Sequence, residues 1–222
     1  MNILTAPSLF ACDLINIEKE IYRTEAAGAD MIHFDIMDGV YVPNLSIGFD
    51  LLRAVRSVTD LPIDAHMMTV NPQNYIQRLA DAGADIITIH SDIADTPAIR
   101  RILEEIHNYG LMAAVALKPK VPASAVIPYL DLCDMILVMT VEPGFSGQSF
   151  MDMSEKIRMI KEYIGSDPIS IQVDGGINEE TVKVCAKAGA NVFVVGSAAY
   201  RAKSMKETLT NIKNNAKEAY CD

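Results

Sequence analysis

Eight short apolar runs, many of them rich in β-branched residues, recur along the chain at intervals of roughly 20–30 residues. They cover residues 3–9, 31–37, 61–67, 86–90, 111–117, 135–140, 169–174 and 191–196. Several runs are nearly continuous rather than alternating, which is typical of strands covered on both faces, as in a parallel sheet. Segments of helical length separate the runs, so the pattern predicts eight strand–helix units.

The segment 71–83 shows the features expected of one such helix. Asn71 is a predicted N-cap, Pro72 takes the first helical position, and Gly83 ends the helix. Apolar residues on one stripe predict the face that packs inward: Tyr75, Ile76 and Leu79.

A small repeat marks three helix-to-strand connections. Ala-Gly-Ala followed by Asp or Asn occurs at 27–30, 82–85 and 188–191, and its glycine is expected to take the left-handed conformation that often ends a helix. The repeated unit favours a closed (β/α)₈ TIM barrel that spans residues 1–222 as a single domain. An open doubly wound sheet is the alternative, although no G-x-G-x-x-G follows the first strand.

Two histidines and two aspartates lie where three of the predicted strands end. His33 and Asp35 are two residues apart, so their side chains share one face of the second strand. His66 and Asp174 would join them, because catalytic residues of a barrel lie at the carboxyl ends of its strands. Two imidazoles and two carboxylates suit a divalent ion such as Zn²⁺ or Fe²⁺. From spacing alone, four separately hydrogen-bonded core residues remain the alternative.

Glycine-rich segments follow the sixth, seventh and eighth strands, in the region where barrels commonly bind phosphate through backbone N–H groups. The candidate residues are Gly144, Phe145, Ser146, Gly147, Gly175, Gly176, Gly196 and Ser197. Single glycines are usually turns, but their clustering at one barrel face favours phosphate binding. The glycine content of 144–147 also predicts a closing lid.

Composition limits which classes of partner and which cellular location are expected for the protein. Of 222 residues, 50% are hydrophobic, and the net charge of −10 disfavours a nucleic-acid partner. No apolar run approaches the ~18 residues of a membrane span, so no membrane partner is expected. The absence of a targeting segment predicts a cytoplasmic protein. Four cysteines without C-x-x-C spacing predict reduced thiols: Cys12, Cys133, Cys185 and Cys221.

Five longer motifs occur in order along the chain. They are Ala-Pro-Ser-Leu at 6–9, the stretch 33–44 ending in Val-Pro-Asn, His-Met-Met at 66–68, Met-Thr-Val-Glu-Pro-Gly-Phe-Ser-Gly-Gln at 139–148 and Val-Asp-Gly-Gly at 173–176. Together they closely resemble the ribulose-phosphate 3-epimerase family, over essentially the whole chain. The resemblance implies a (β/α)₈ homo-oligomer that interconverts two phosphorylated ketoses, D-ribulose 5-phosphate and D-xylulose 5-phosphate.

The resemblance also implies a role for each candidate residue. One divalent metal ion per subunit would be bound by His33, Asp35, His66 and Asp174. The ion would be Zn²⁺ or Fe²⁺, with Mn²⁺ or Co²⁺ as alternatives, and it would stabilise an enediolate. Asp35 would remove the C3 proton and Asp174 would return one from the opposite face, with the roles exchanged in reverse. The implied substrate contacts outside the phosphate loops are Ser8, His66, Met37, Met68 and Met139, of which the methionines are otherwise typical of a core.

Three positions depart from the family pattern. Ser146 stands where many members have glycine, Val40 where many have histidine, and Gln172 where an acidic residue is common. They leave open a preference for D-allulose 6-phosphate, which would be epimerised by the same mechanism. A non-catalytic barrel that binds a sugar phosphate is a further alternative. A related decarboxylase would need Asp-x-Lys, where this chain has Asp35-Ile36-Met37.

Overall fold

The computed structural model of the chain describes residues 2–221, without the side chain of Cys221. Eight parallel strands form one sheet that curves into a nearly closed barrel, which confirms the predicted fold class. The strands are β1 (Leu4–Pro7), β2 (Ile32–Met37), β3 (Ile63–Met68), β4 (Ile86–His90), β5 (Met112–Leu117), β6 (Met135–Met139), β7 (Ser170–Asp174) and β8 (Val192–Val195). All eight fall within, or one residue beyond, the predicted runs.

Helices surround the barrel. They are α1 (Ile17–Ala26), α2 (Phe49–Arg56), α3 (Ile76–Ala82), α4 (Thr96–Asn108), α5 (Ser154–Ile164), α6 (Thr181–Ala188), α7 (Ser197–Tyr200) and α8 (Met205–Cys221). A 3-10 helix, Ala123–Tyr129, takes the place of an α-helix between β5 and β6. Among residues 2–221, no helix combines the length and the apolar character that crossing a membrane requires.

The seam between β1 and β2 is the least paired part of the barrel. Neighbouring strands pair continuously from β2 through β8 and on to β1. Between β1 and β2, residues 2–221 form one isolated bridge, which joins Ser8, directly after β1, to His33. The Asp30 carboxylate also accepts a hydrogen bond from the backbone N–H of Thr5, at 2.7 Å. This seam lies directly beside the predicted site.

The segment 71–83 departs from the predicted helix. Residues 72–74 form a 3-10 turn, the side chain of Asn71 makes no capping hydrogen bond, and α3 begins only at Ile76. The backbone N–H of Tyr75 bonds to the carbonyl of Pro72, at 2.9 Å, and so closes the tighter turn. The C-terminal prediction is confirmed, since Gly83 has a left-handed φ of 97°. The repeat glycines Gly28 and Gly189 are left-handed as well.

The core has two parts, because side chains of each strand alternate between the barrel interior and the helical layer. Outward-facing residues pack under the helices, with Phe34 and Phe193 among the largest fully buried side chains. Apolar residues fill the amino end of the interior: Ala6, Met31, Ile86, Ala114, Met135, Val192 and Val194. Buried polar residues occupy the strand positions nearer the carboxyl ends, where a site would lie. Cys12, Cys133 and Cys185 are free thiols, and the prediction for Cys221 lies outside the described side chains.

Candidate active site

Strand register brings the predicted histidines and aspartates together. His33 pairs with Asp64 across β2 and β3, and Asp35 pairs with His66 two residues further on. Because positions two apart share a face, all four side chains enter the barrel interior. Asp174 ends β7 and reaches the same place from across the seam.

Four side chains converge on one point at the carboxyl end of the barrel. One donor atom from each of His33, Asp35, His66 and Asp174 lies within 4.8 Å of the others. His33 Nε2 is 3.3 Å from Asp35 Oδ1 and 3.8 Å from Asp174 Oδ2, while His66 Nδ1 is 3.1 Å from Asp35 Oδ1. Two imidazole nitrogens and two carboxylate oxygens form a donor set suited to a divalent transition metal.

The environment separates the two aspartates electrostatically. Burial opposes ionisation of Asp35, but His33 and His66 outweigh it and hold the pKa of Asp35 well below its usual range. Burial raises the pKa of Asp174 to about 6, and the nearby Asp35 carboxylate adds to this rise. Two carboxyl groups whose pKa values are driven apart form the arrangement expected of an acid and a base in one site.

Ser8 and His33 are held in single orientations by the same cluster. The Ser8 hydroxyl donates to Asp35 Oδ2 at 2.6 Å. Burial opposes protonation of His33, yet the carboxylates of Asp35 and Asp64 raise the pKa of His33 well above its ordinary value. Each of these contacts favours an ionised Asp35.

A second polar layer beneath the site was not predicted from the sequence. Asp64 is fully buried and accepts hydrogen bonds from His33 Nδ1 at 2.9 Å, Thr88 Oγ1 at 2.7 Å and Gln172 Nε2 at 2.9 Å. The spacing of residues in the sequence could have indicated Asp64, because Asp64 precedes His66 by two residues just as His33 precedes Asp35. Gln172, one of the departures from the family pattern, thus lies under the metal-binding candidates.

His90 extends the cluster to the far side of His66. The Nε2 atoms of His66 and His90 are 2.9 Å apart, and burial lowers the pKa of His90 well below its ordinary value. The Tyr41 ring covers His90 at a centroid distance of 4.8 Å. The Tyr41 hydroxyl donates to Asp92, which also pairs with Lys118 at 3.1 Å. Lys118 therefore belongs to the packing around His90 and does not line the cavity.

A cavity of about 370 Å³ opens above the cluster. Its lining includes Asp35 and Asp174, whereas the fully buried His33 and His66 are not among the lining residues. The other lining residues that the sequence predicted are Ser8, Met37, Met68, Met139, Gly144, Phe145, Ser146, Gly147, Gly175, Gly176, Gly196 and Ser197. The departures differ in placement: Ser146 lines the cavity, while Val40 is exposed and outside the lining.

The loops of the cavity require glycine at two adjacent positions. Gly175 has a φ of +122°, and a Cβ there would lie 2.6 Å from a Val141 methyl group. Gly176 has a φ of +65°, and a Cβ there would lie 2.9 Å from the Phe150 backbone. Only glycine allows this close packing without strain. The Asn44 side chain donates to the carbonyl of Gly144 at 2.8 Å and joins two loops.

Arg201 is a further lining residue that the sequence did not indicate. It is the one cationic side chain among the described residues that line the cavity, and it has no hydrogen-bond or ion-pair partner within residues 2–221. Its signal in the sequence was only its position, shortly after the loop that contains Gly196 and Ser197. A cation at this rim suits an anionic ligand.

Comparison with known proteins identifies the relatives of this chain. The sequence model of the Ribulose-phosphate 3 epimerase family matches residues 4–200. The ribulose-phosphate 3-epimerase of Bacillus subtilis (strain 168) is 40% identical over 217 residues, which cover 96% of this chain and 99% of that protein. The chloroplastic ribulose-5-phosphate-3-epimerase of Arabidopsis thaliana is 37% identical over 221 residues, with coverage of 98% and 79%.

Solved structures are similar in fold. The 3-hexulose-6-phosphate synthase of Salmonella typhimurium aligns with a TM-score of 0.75 over 98% of this chain and 100% of that one. Its sequence identity is 20%. The barrel architecture is therefore shared with proteins that differ widely in sequence.

Proposed function

Because this chain belongs to the ribulose-phosphate 3-epimerase family, we propose that it inverts C3 of D-ribulose 5-phosphate to give D-xylulose 5-phosphate, and catalyses the reverse reaction. Like its named relatives, the chain is an isomerase that acts on carbohydrates. The observation that carries the proposal is the placement of two carboxylates, Asp35 and Asp174, at the floor of one cavity beside two buried histidines.

The chemistry of the donors supports a resident divalent metal ion. His33, His66, Asp35 and Asp174 would hold it, since their donor atoms already lie within 4.8 Å of one another. When bound, the ion supplies Lewis-acid stabilisation of negative charge on the substrate oxygens as C3 loses its proton. The mixed nitrogen and oxygen set suits Zn²⁺, Fe²⁺, Mn²⁺ or Co²⁺ better than Mg²⁺.

The two carboxylates divide the proton transfers. Asp35, whose carboxylate accepts a hydrogen bond from the Ser8 hydroxyl, accepts the C3 proton of one epimer. Asp174, which lines the same cavity, delivers a proton to the opposite face of the planar enediolate. Met37, Met68 and Met139 line the cavity with apolar sulfur side chains, which limit access of water to this intermediate.

The remaining lining residues suit the substrate phosphate. The segments 144–147, 175–176 and 196–197 line the cavity, and their backbone N–H groups would bind the phosphate oxygens. Arg201 would add the positive charge that this acidic protein otherwise lacks there. Cytoplasmic location and self-association stay predictions from the sequence.

The test separates the two proton transfers. Metal-loaded protein in deuterated water is given D-ribulose 5-phosphate, D-xylulose 5-phosphate or D-allulose 6-phosphate, and product and C3 deuterium are followed by NMR. We expect the two pentulose phosphates to interconvert with deuterium entering C3. Asp174→Asn should retain C3 exchange of the epimer that Asp35 deprotonates but form no opposite epimer, and Asp35→Asn should show the converse, with folding preserved because side-chain volume is kept.

Asp134→Asn serves as the matched control. Asp134 also pairs with a histidine, His107, at 3.0 Å, but it precedes β6 at the opposite end of the barrel, so turnover should be unchanged. Metal content is measured for each variant alongside turnover. Interconversion by both aspartate variants at near wild-type rates would contradict the two-base assignment. Preferential turnover of D-allulose 6-phosphate would reassign the substrate, and no C3 exchange with any sugar would favour a binding role.

A further inference from the structure

The fully buried Asp64 carboxylate lies below the candidate metal ligands, outside the cavity. Its one titratable partner is His33, whose Nδ1 lies 2.9 Å from Asp64 Oδ2. Neither lysine nor arginine pairs with Asp64 among the described residues. A buried carboxylate is costly even when it is hydrogen-bonded, and an apolar residue would fill the same space more cheaply. Packing alone therefore does not explain why a carboxylate occupies this position.

The hydrogen bonds around Asp64 fix its orientation. Thr88 donates to Oδ1 at 2.7 Å, and Gln172 donates to Oδ2 at 2.9 Å from across the barrel. Both donors are fully buried, so each carboxylate oxygen has a defined partner. Besides the Gln172 amide, Oδ2 contacts His33 Nδ1.

This contact determines which nitrogen of His33 is available to the site. A carboxylate accepts hydrogen bonds and does not donate them, so His33 carries a proton on Nδ1. Nε2 is then the nitrogen left to bind a metal ion beside Asp35 and Asp174, whose oxygens lie 3.3 Å and 3.8 Å away. The other imidazole differs, because the nitrogen of His66 that faces away from Asp35, Nε2, lies 2.9 Å from His90 Nε2 and not beside a carboxylate.

We propose that Asp64, held by Thr88 and Gln172, is a positioning residue that fixes the His33 tautomer and thereby sets the metal affinity of the site. The inference rests on the proposed metal centre. A carboxylate partner orients an imidazole ligand and increases its basicity, and loss of such a partner typically weakens metal binding 10–100-fold.

The experiment measures metal binding without turnover. Metal-stripped wild-type protein, Asp64→Asn and the control Asp134→Asn are titrated with Co²⁺, followed by the visible absorption of the bound ion, and cooperative unfolding by urea verifies that each is folded. We expect Asp64→Asn to bind Co²⁺ about 10–100-fold more weakly and with an altered spectrum. Asp134→Asn should match wild type, because its carboxylate pairs with His107 outside the site.

The outcomes separate the inference from the proposed function. If wild type binds Co²⁺ and folded Asp64→Asn binds it within twofold, Asp64 is not a positioning residue. If wild type itself binds no Co²⁺, the proposed metal centre fails and the inference fails with it.

A measurement on the unaltered protein applies even where Asp64→Asn does not fold. With ¹⁵N-labelled Zn²⁺-loaded protein, NMR of the four histidine side chains reports the tautomer of each ring. His33 should carry its proton on Nδ1, with the downfield shift of a hydrogen bond to a carboxylate. A proton on Nε2 of His33 would overturn the inference.

Discussion

Asp174 gives the metal-free protein a pH dependence that can be worked out from its position. Burial raises the pKa of Asp174 from 3.8 to about 6. A carboxyl group whose pKa is higher in the folded state contributes stability that is present below about pH 4 and is lost as the pH rises through about 6. The rise in the pKa of Asp174 from 3.8 to about 6 corresponds to roughly 3 kcal/mol of folding free energy.

Asp174→Asn should therefore stabilise the metal-stripped protein increasingly as the pH rises. We expect the difference in unfolding free energy between variant and wild type to grow by up to about 3 kcal/mol from pH 4 to pH 7.5. Urea unfolding in the presence of a chelator measures it. Asp60→Asn is the control, since Asp60 is exposed and unpaired among the described residues. A difference that stays constant with pH would refute the interpretation.

At the scale of residues, the sequence predicted the donor set but not its support. His33, Asp35, His66 and Asp174 could be chosen because polar residues in apolar strands are costly without a role. Asp64 lies in the same kind of strand, yet its partners Thr88 and Gln172 come from β4 and β7. No local pattern shows which strands face each other across a barrel, so this network required the structure.

The connection after β7 provides a prediction about a single element. Gly176→Ala would place a Cβ 2.9 Å from the Phe150 backbone, at a φ of +65°, so the loop must shift. We expect kcat/KM to fall at least about tenfold, because displacement of binding groups by about 1 Å can cost more than that. Steady-state kinetics, together with inhibition by inorganic phosphate, measures the loss.

Gly165→Ala is the matched control for this loop. Gly165 has a similar φ of +58° but open space around its Cβ position, and it lies at the end of α5. Both substitutions place a side chain at a positive φ and introduce about 1–3 kcal/mol of backbone strain, and only Gly176→Ala should lower activity. Equal kinetics for the two variants would show that the position of Gly176 does not matter for the substrate.

Element types were easier to predict than element boundaries. The bounds of the strand Ile86–His90 were predicted as the structure has them, because a buried strand is a short, continuous apolar run that stands out from its neighbours. The predicted start of α3 was wrong, because Asn71 and Pro72 fit the start of an α-helix and equally fit a 3-10 turn. Packing of Tyr75 against Phe49, at a ring distance of 5.6 Å, is a tertiary contact that local sequence does not specify.

For the molecule as a whole, closure of the barrel depends on one weakly paired seam. Seven neighbouring strand pairs have continuous ladders, whereas β1 and β2 share one isolated bridge. The repeated strand–helix units predicted closure, but not where the pairing would be weakest. The isolated bridge at this seam joins Ser8 to His33, so the site and the seam of the barrel share residues.

Asp30 holds this seam from the amino end of the barrel. Its carboxylate accepts hydrogen bonds from the Thr5 backbone at 2.7 Å and from the Thr5 hydroxyl at 3.1 Å, and it pairs with Lys213 of α8 at 2.7 Å. It therefore joins the first strand to the last helix as well as to the approach to β2. Removing it would leave the N–H of Thr5, a fully buried residue, without its acceptor.

Asp30→Ala should destabilise the metal-stripped protein by about 2–3 kcal/mol, the cost expected when hydrogen bonds to a charged acceptor are lost and a buried donor is left unpaired. Asp60→Ala should change the unfolding free energy by less than about 0.5 kcal/mol. Urea unfolding compares the stability of the two variants. Co²⁺ titration of folded Asp30→Ala tests whether the substitution also changes metal binding at the site. Because the cluster of donors is supported by Asp64 and not by Asp30, metal affinity should be unchanged. A stable Asp30→Ala protein would mean that the single bridge at Ser8 and the packing of the helices are enough to close the barrel.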